Sequence, residues 1–543
     1  MSASPSPHSP VSLGLDFGTE AARAVLVDAG GNTLASVERR YAHGQILDTL
    51  PGGGDRLPPR YALQCPGDWL DSAAEVTRAA MREADLPPDR VVGIGVDFTS
   101  CTMLPCTADG DPLCRQDRFA GVPLAWPKLW KHHGAIEQTE RMNAVARDRD
   151  EPFLARYGGI IGLEWFFPKV LETIENAPEV ADAAEVWLEA GDWFVWQLVG
   201  GDASTLPRSS CQAGYKALWS SDDGYASPEY LAAIDPRLAE VAATKMPGRI
   251  LAPGEAAGRL TDAMAARFGL AAGTVVSAAI IDAHSAVPGV GAAEPGALVM
   301  VMGTSSCHML NATANRPVPG VAGIVEGGIL PGLFGYETGQ AAVGDAFAWL
   351  LNLLGRDSFA ELAEEALAIP AGSDGVLCLD WMNGCRTPLM DGSLRGAFTG
   401  LSLTHGPAHL YRALLEASAM GVRWIVELLR EHDVPVTRLV ATGGLPHHNP
   451  AVVDIYASVL GETIEVHPST QGPAVGAAVL GMVAAGEAKS GLADVEAAAR
   501  AMAASDDSRI VAPSADDAAV YDRLYADYRR LAAAVVEMNQ PAS

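Results

Sequence analysis

The chain has 543 residues, 49% of them hydrophobic, and 66 acidic against 38 basic side chains give it a formal net charge of −28. That length accommodates two or more packed domains of roughly 100–250 residues, and with no basic block gathered on one face the charge argues against a nucleic-acid partner. The longest apolar run, Pro473 to Gly486, is too short and too rich in Gly and Ala to cross a bilayer, and the eight cysteines form no C-x-x-C pair, so neither a zinc site nor a disulfide framework is expected. These features predict a large soluble protein of the reducing cytoplasm with no membrane partner.

In chain order, MSASPSPHSP lacks the charged start and apolar core of a secretory signal and reads as a disordered leader over 1–11. LGLDFGTEAARAVLVD (13–28) alternates Leu13, Leu15 and Phe17, then Ala22, Ala24 and Leu26, about a Gly-Thr turn, which predicts a hairpin with one buried face. Trp69, Leu70, Ala73, Val76 and Ala80 carry helical spacing through Pro66 to Leu86, and the run VVGIGVDF (91–98) predicts a central strand covered on both sides. Strands alternating with helices make the class α/β. From about 125 to 248 the chain is rich in Trp and Phe and punctuated by Pro, and reads as an inserted, substrate-shaping segment. Its WFVWQLVG (193–200) predicts a core helix rather than a sugar-stacking platform.

The opening logic returns in GALVMVMGTSSCHML (296–310), again strand, Gly-Thr turn, strand, which predicts two halves of similar fold. LVATGGLPHHNP (439–450) predicts a strand ending in a Gly-Gly turn that opens a helix through Val453, Ile455, Tyr456 and Leu460. GPAVGAAVLGMVAAG (472–486) predicts a small-residue helix able to pack very close to a neighbour, and Ala518 to Met538 a capping helix. The expected division is a leader at 1–11, a first domain at 12–290 containing the insertion, a second at 291–490, and a helical extension at 491–543.

Gly-rich turns expose consecutive backbone N–H groups that hold phosphate oxygens. Three follow strands here, at 18–20, 303–306 and 443–445, although a Gly-Thr or Gly-Gly turn is also ordinary turn chemistry. Asp16 precedes the first turn; it is either a hydrogen-bonding strand-end aspartate or the hard oxygen ligand that Mg²⁺ needs, usually through retained waters. Asp282 ends the buried run VVSAAII, where α/β proteins place their ligands, and desolvation there raises a carboxyl toward the range that accepts a hydroxyl proton. Its alternative is the cap of the following helix. The adjacent pairs His132-His133 and His447-His448 suit no metal and predict surface or loop positions. Cys101, Cys211 and Cys307 predict buried packing.

Taken together, LGLDFGTEAARAVLVD, GALVMVMGTSSCHML, LVATGGLPHHNP and GAFTGLSLTHGPAHLYRALLE (396–416) resemble the FGGY carbohydrate kinases of the actin-like ATPase superfamily, from about residue 12 to 486. The last stretch fits the family's C-terminal pattern through Gly396, Phe398, Gly400, Leu401, His409, Leu410, Ala413 and Glu416; the N-terminal pattern has its nearest counterpart in WFFPKVL (165–171). LPPRYALQCPGDWL (57–70), GIGVDFTSCTMLP (93–105), WPKLWKHH (126–133), SSCQAGYKALW (209–219), IDAHSAVPG (281–289) and GYETGQAAVGDAFAW (335–349) are similar to a ketopentose-phosphorylating subgroup of that family. The resemblance implies two actin-like, ribonuclease H-like domains flanking a cleft, with sugar held mainly by the first and ATP mainly by the second.

It further implies ATP-dependent phosphorylation of L-ribulose to L-ribulose 5-phosphate in arabinose breakdown, with D-ribulose, xylulose or ribitol as alternative acceptors and a non-catalytic nucleotide-binding scaffold as the distant one. By the same similarity Asp282 is the general base and Asp16 helps to hold Mg²⁺. Gly18, Thr19, Arg23, Gly303, Thr304 and Ser305 line the phosphate path, Gly443, Gly444 and Asn449 border the adenosine, and Ser100, Lys216, Asp282 and Glu337 contact the ketose. Lys216 and Glu337 also suit a polyol as opposite charges in a fixed network. Glu20 stands where relatives of this fold carry a small hydroxyl, and a second acid there repels phosphate unless it faces away. A homo-oligomer is compatible with such a chain.

Overall fold

The computed structural model describes residues 9–539, whose backbone is organised by two seven-stranded sheets of matching strand order. Of the leader expected over 1–11, residues 1–8 lie outside the described residues, and Val11 already opens the first strand. In the first sheet β1 (Val11–Phe17), β2 (Ala21–Asp28) and β3 (Thr33–Arg40) form an antiparallel meander, and β4 (Val91–Phe98) runs parallel to β1 on its other side. Beyond it lie β5 (Ala256–Arg259) and β6 (Val275–Ser277), with β7 (Ile280–Ile281) continuing parallel to β4, in the order β3-β2-β1-β4-β6-β5. β1 is buried on both faces and β4 almost entirely so, which is why both read as unbroken apolar runs.

The second sheet repeats the plan with β8 (Ala297–Met302), β9 (Ser306–Ala312), β10 (Gly323–Glu326), β11 (Phe334–Gln340), β12 (Arg438–Thr442), β13 (Ile464–Val466) and β14 (Arg509–Val511). Its order is β10-β11-β9-β8-β12-β13-β14, so β11-β9-β8-β12-β13 corresponds to β3-β2-β1-β4-β6, with the same antiparallel and parallel pairings. The hairpin expected at 13–28 and its counterpart at 296–310 are the first two strands of each sheet. The C-terminal stretch expected to be helical contributes β14 to the sheet edge.

Seven helices matter for the site: α1 (Pro66–Glu83), α2 (Phe166–Asn176), α3 (Ser210–Lys216), α4 (Asp282–Gly289), α5 (Pro407–Glu431), α6 (Gly472–Ala484) and α7 (Ala518–Asn539). α6 lies across β1 and β4 at backbone distance. A Cβ on Gly95 would sit 1.7 Å from the Ala477 carbonyl oxygen, and one on Gly14 would sit 1.9 Å from that of Ala474. Only glycine permits such an approach. α6 belongs to the second half of the chain yet packs on the first sheet, and Val25, Ile281, Val287, Val299, Val440 and Ala478 share one core between the halves.

The helix expected directly after the Gly-Gly turn is broken at Asn449 (φ −137°, ψ 82°), because Pro450 disfavours helical backbone before it, and the helix restarts at Pro450–Leu460. The Trp/Phe-rich segment has its own core around Tyr157, Phe167, Trp187 and Tyr230. That core also recruits Ile46, Leu63 and Phe119, so this unit begins well before residue 125. Trp193 and Trp196 are buried in the first-sheet core, as their spacing predicts.

Candidate active site

β1, β4 and β7 are parallel neighbours ending at one edge of the first sheet, and each delivers a carboxylate there. Asp16 stands opposite Asp97 in register, Ile280 pairs with Asp97, and Asp282 follows β7 as the first residue of α4. Asp16 accepts a hydrogen bond from Arg23 Nη1 at 2.8 Å, and Arg23 also pairs with Glu38. Arg23, expected along the phosphate path, is thus held across the β1–β2–β3 face. Burial raises the Asp16 pKa against the opposing charge of Arg23. Asp97 is fully buried, neither of its oxygens has a hydrogen-bond partner among the described residues, and burial together with the Asp16 charge pushes its pKa well up. Asp282 accepts the Ala283 N–H at 2.7 Å, and burial first, then the neighbouring Asp16, push its pKa up to about 7. A carboxyl at that value serves as a base near neutral pH.

Across from this edge, Lys216 ends α3 and its Nζ donates to both oxygens of Glu337 on β11, at 2.9 and 3.0 Å. Arg386 also pairs with Glu337, and His284 Nε2 lies 3.3 Å from it. Burial alone would raise the Glu337 pKa, but Lys216 and Arg386 hold it well below the usual carboxylate range; burial lowers that of His284. Lys216 and His284 come from the first half of the chain, Glu337 and Arg386 from the second. The expected opposite charges are therefore one interlocked cluster across the cleft. A cavity of about 520 Å³ opens beside it, lined by Glu164, Trp165, Lys216, Asn383 and Arg386 among others. Glu337 is close enough to Asp282 to raise its pKa, and Ser100 follows the end of β4, next to Cys101, which feels the Lys216 charge.

The first two glycine turns both close through the glycine N–H, the second one residue tighter than the first. Gly18 N donates to Ala21 O at 3.0 Å, and Gly303 N to Ser305 O at 3.0 Å. A Cβ at Gly18 or Gly303 would meet nothing nearer than 3.6 or 3.7 Å, so both backbones have room for a ligand. Thr19 is fixed by Gln64 Nε2 on its carbonyl (2.8 Å) and Trp130 Nε1 on its hydroxyl (3.1 Å). Thr304 is exposed, and its carbonyl accepts from Val343 N and Asp345 N. Gly443 (φ +94°) brings the third turn against the second, since a Cβ there would lie 2.5 Å from Met302 O. Gly444 is exposed, and Asn449 Nδ2 reaches Tyr411 Oη at 3.4 Å. Glu20 is exposed and bonded to Gln45, turned toward the 41–46 loop.

Asp97, His284 and Arg386 were not singled out by sequence. Asp97 does carry a signal, an acid inside an apolar central strand as Asp16 is in β1, whereas Arg386 sits in an irregular loop with no spacing to find. His132 lies in a loop, one arm of the expectation, but is fully buried rather than at the surface: its Nε2 is 2.8 Å from Glu172 Oε2, and burial lowers its pKa to about 4. A buried partner 40 residues away is invisible to a rule about adjacent histidines. Cys101 and Cys211 are buried as expected, but Cys307 is partly exposed and faces Arg386 Nη1 at 3.3 Å. Lys169, in the stretch nearest the N-terminal family pattern, is buried and spends its ammonium on the carbonyls of Cys101 and Leu129.

Residues 11–289 match the N-terminal domain, and residues 298–485 the C-terminal domain, of the FGGY family of carbohydrate kinases. The chain belongs to this family, whose members use ATP to phosphorylate sugars. Among its relatives, a ribulokinase of Geobacillus thermodenitrificans is 44% identical over 96% of this chain and 93% of its own length. A ribulokinase of Shouchella clausii is 44% identical over 96% and 94%. The crystal structure of xylulose kinase from Rhodospirillum rubrum superposes with a TM-score of 0.78 at 25% identity, covering 97% of this chain and 99% of that one.

Proposed function

We propose that this chain is an ATP-dependent ribulose kinase, phosphorylating the terminal hydroxyl of L-ribulose to give L-ribulose 5-phosphate, the step that arabinose breakdown requires. Near-complete alignment with ribulokinases at 44% identity carries the substrate assignment. The chemistry rests on Asp282. Its carboxylate takes the proton of the terminal hydroxyl as that oxygen bonds to the γ-phosphorus, and the bond to the β–γ bridging oxygen breaks to release ADP. Lys216, Glu337 and Ser100 orient the ketose so that one hydroxyl meets Asp282. The turns at Gly18–Thr19 and Gly303–Ser305 cradle the phosphates, while Gly443, Gly444 and Asn449 border the nucleoside.

Asp16, Asp97 and Asp282 bring carboxylate oxygens to one edge of the first sheet, those of Asp97 without a hydrogen-bond partner among the described residues, and such hard oxygens suit Mg²⁺ held through water. Asp16 would hold the ion through water, and the ion supplies charge neutralisation at the transferring phosphoryl group. The chain's own acids otherwise repel the triphosphate, so this edge is expected to need a divalent cation for turnover. Eight cysteines, all free thiols, fit a reducing compartment such as the cytoplasm.

The test is sugar-dependent ADP release with Mg²⁺-ATP across L-ribulose, D-ribulose, both xyluloses, ribitol and glycerol. The highest kcat/KM belongs to L-ribulose on this reading; a different preferred sugar moves the substrate within the family, and ATP binding without sugar-dependent turnover overturns the kinase assignment.

A further inference from the structure

The residues that hold Glu337 reach far outside the cleft. Arg386 lies in an irregular loop, residues 380–392, yet its guanidinium is fixed on two sides, by Glu337 and by Cys307 Sγ. The loop is stitched to β11, the strand of Glu337, at two places. Thr387 N donates to Gly339 O at 3.1 Å and Gly339 N to Thr387 Oγ1 at 3.3 Å. At the other end Gln340 Nε2 donates to Asp380 Oδ2 at 2.9 Å and also to Ser418 O of α5 at 2.8 Å. The remaining oxygen of Asp380 accepts the hydroxyl of Tyr528, from α7, at 2.7 Å. Tyr528 and Asp380 are both buried. Between Tyr528 and the loop lies a cavity of about 10 Å³, lined by Asp380, Cys385, Arg386, Trp424 and Tyr528, too small for more than one water.

We propose that Arg386 is a positioning residue for Glu337, and that Tyr528 of the C-terminal helix braces the loop carrying it, so that α7 sets sugar affinity from outside the cleft. The inference rests on reading Glu337 as a sugar contact. Without Arg386, Lys216 remains as the counter-charge, with the His284 ring, whose pKa burial lowers, 3.3 Å away, so Glu337 stays ionised but loses the one partner that enters from its own half of the molecule. Removing the Tyr528 hydroxyl keeps the ring's packing and leaves a buried carboxylate oxygen short of a donor, which the loop can satisfy only by shifting.

Steady-state kinetics with ribulose and ATP test this on the full-length chain with Glu337→Gln, Arg386→Gln, Arg386→Lys, Tyr528→Phe and Tyr525→Phe, each checked by thermal melting. Tyr525, on the same helix as Tyr528, is the control, because its hydroxyl bonds Glu427 of α5 at 2.7 Å and Arg529 at 3.2 Å rather than a residue of the loop. Arg386→Gln is expected to raise the sugar KM by about tenfold or more with ATP KM within about twofold, and Arg386→Lys to recover part of it. Tyr528→Phe is expected to raise the sugar KM by about three- to tenfold, and Tyr525→Phe to leave it unchanged. Equal sugar KM changes in the two Tyr variants, or an unchanged sugar KM in Arg386→Gln, overturn the brace. An unchanged sugar KM in Glu337→Gln instead overturns the sugar-contact reading, and the brace with it.

Discussion

Asp282 owes its chemistry to where a strand stops: the apolar run that buries β7 ends on a carboxyl beside Asp16, and desolvation plus that neighbour bring it to about 7. Only the ionised form accepts a proton, so kcat/KM for the sugar is expected to fall about tenfold per pH unit below about 7 and to level above it. A flat profile from pH 5 to 8 would remove Asp282 from the role. The same shift has a stability consequence. The folded-state pKa stands above the ordinary 3.8, so the ionised form costs stability, and that cost builds as pH rises from about 4 to about 7 and persists above. Asp282→Asn is therefore expected to raise the melting temperature more at pH 8 than at pH 5, read by calorimetry. Lys216→Met is expected to raise the sugar KM at least about tenfold and to cost ~1–3 kcal/mol, since Arg386 still neutralises Glu337. Denaturant titration and kinetics on one preparation check both. Asp282 and Lys216 were legible because each stands in a motif with a clear flank, while the direct Lys216–Glu337 bond joins residues 121 apart and no local pattern encodes it. Arg386 was illegible for the same reason, and Asp97 was absorbed into the apolar strand that surrounds it.

At the scale of elements, the glycines of β1 and β4 explain how a helix from the second half lies on the first sheet. The small-residue run at 472–486 announced a close approach, but its target, the backbone of Gly14, Gly93 and Gly95, becomes visible only when the strands are side by side. Gly95→Ala is expected to destabilise by at least ~3 kcal/mol or to leave the protein insoluble, because the clash is with the helix backbone and no side chain can yield. Gly121→Ala, where a Cβ meets nothing within 4 Å and φ is not positive, is expected to change stability by less than ~0.5 kcal/mol. Urea unfolding of the pair measures the contrast; equal midpoints would show that α6 does not depend on this contact. Hairpins, central strands and α6 were legible because their periodicity is local. The sheet strand contributed by 509–511 was not, since three residues at an edge carry too little pattern.

At the scale of the molecule, two sheets of one topology share a core and face each other across a cleft whose charged cluster draws on both halves. The proposed sugar contacts Lys216 and Glu337 come one from each half, as do the first two proposed phosphate turns, so the two ligands are expected to favour one closed arrangement. The melting-temperature rise with ribulose and a non-hydrolysable ATP analogue together is expected to exceed the sum of the separate rises; strict additivity would argue against a shared closed state. Asp282 is central as the proposed proton acceptor of a sugar kinase. The deciding measurement is sugar-dependent ADP formation by Asp282→Asn beside calorimetric binding of ribulose and ATP to the same protein. A kcat lower by about 10²–10⁴ with both affinities within a few-fold of wild type is the predicted result, and near wild-type turnover would contradict it.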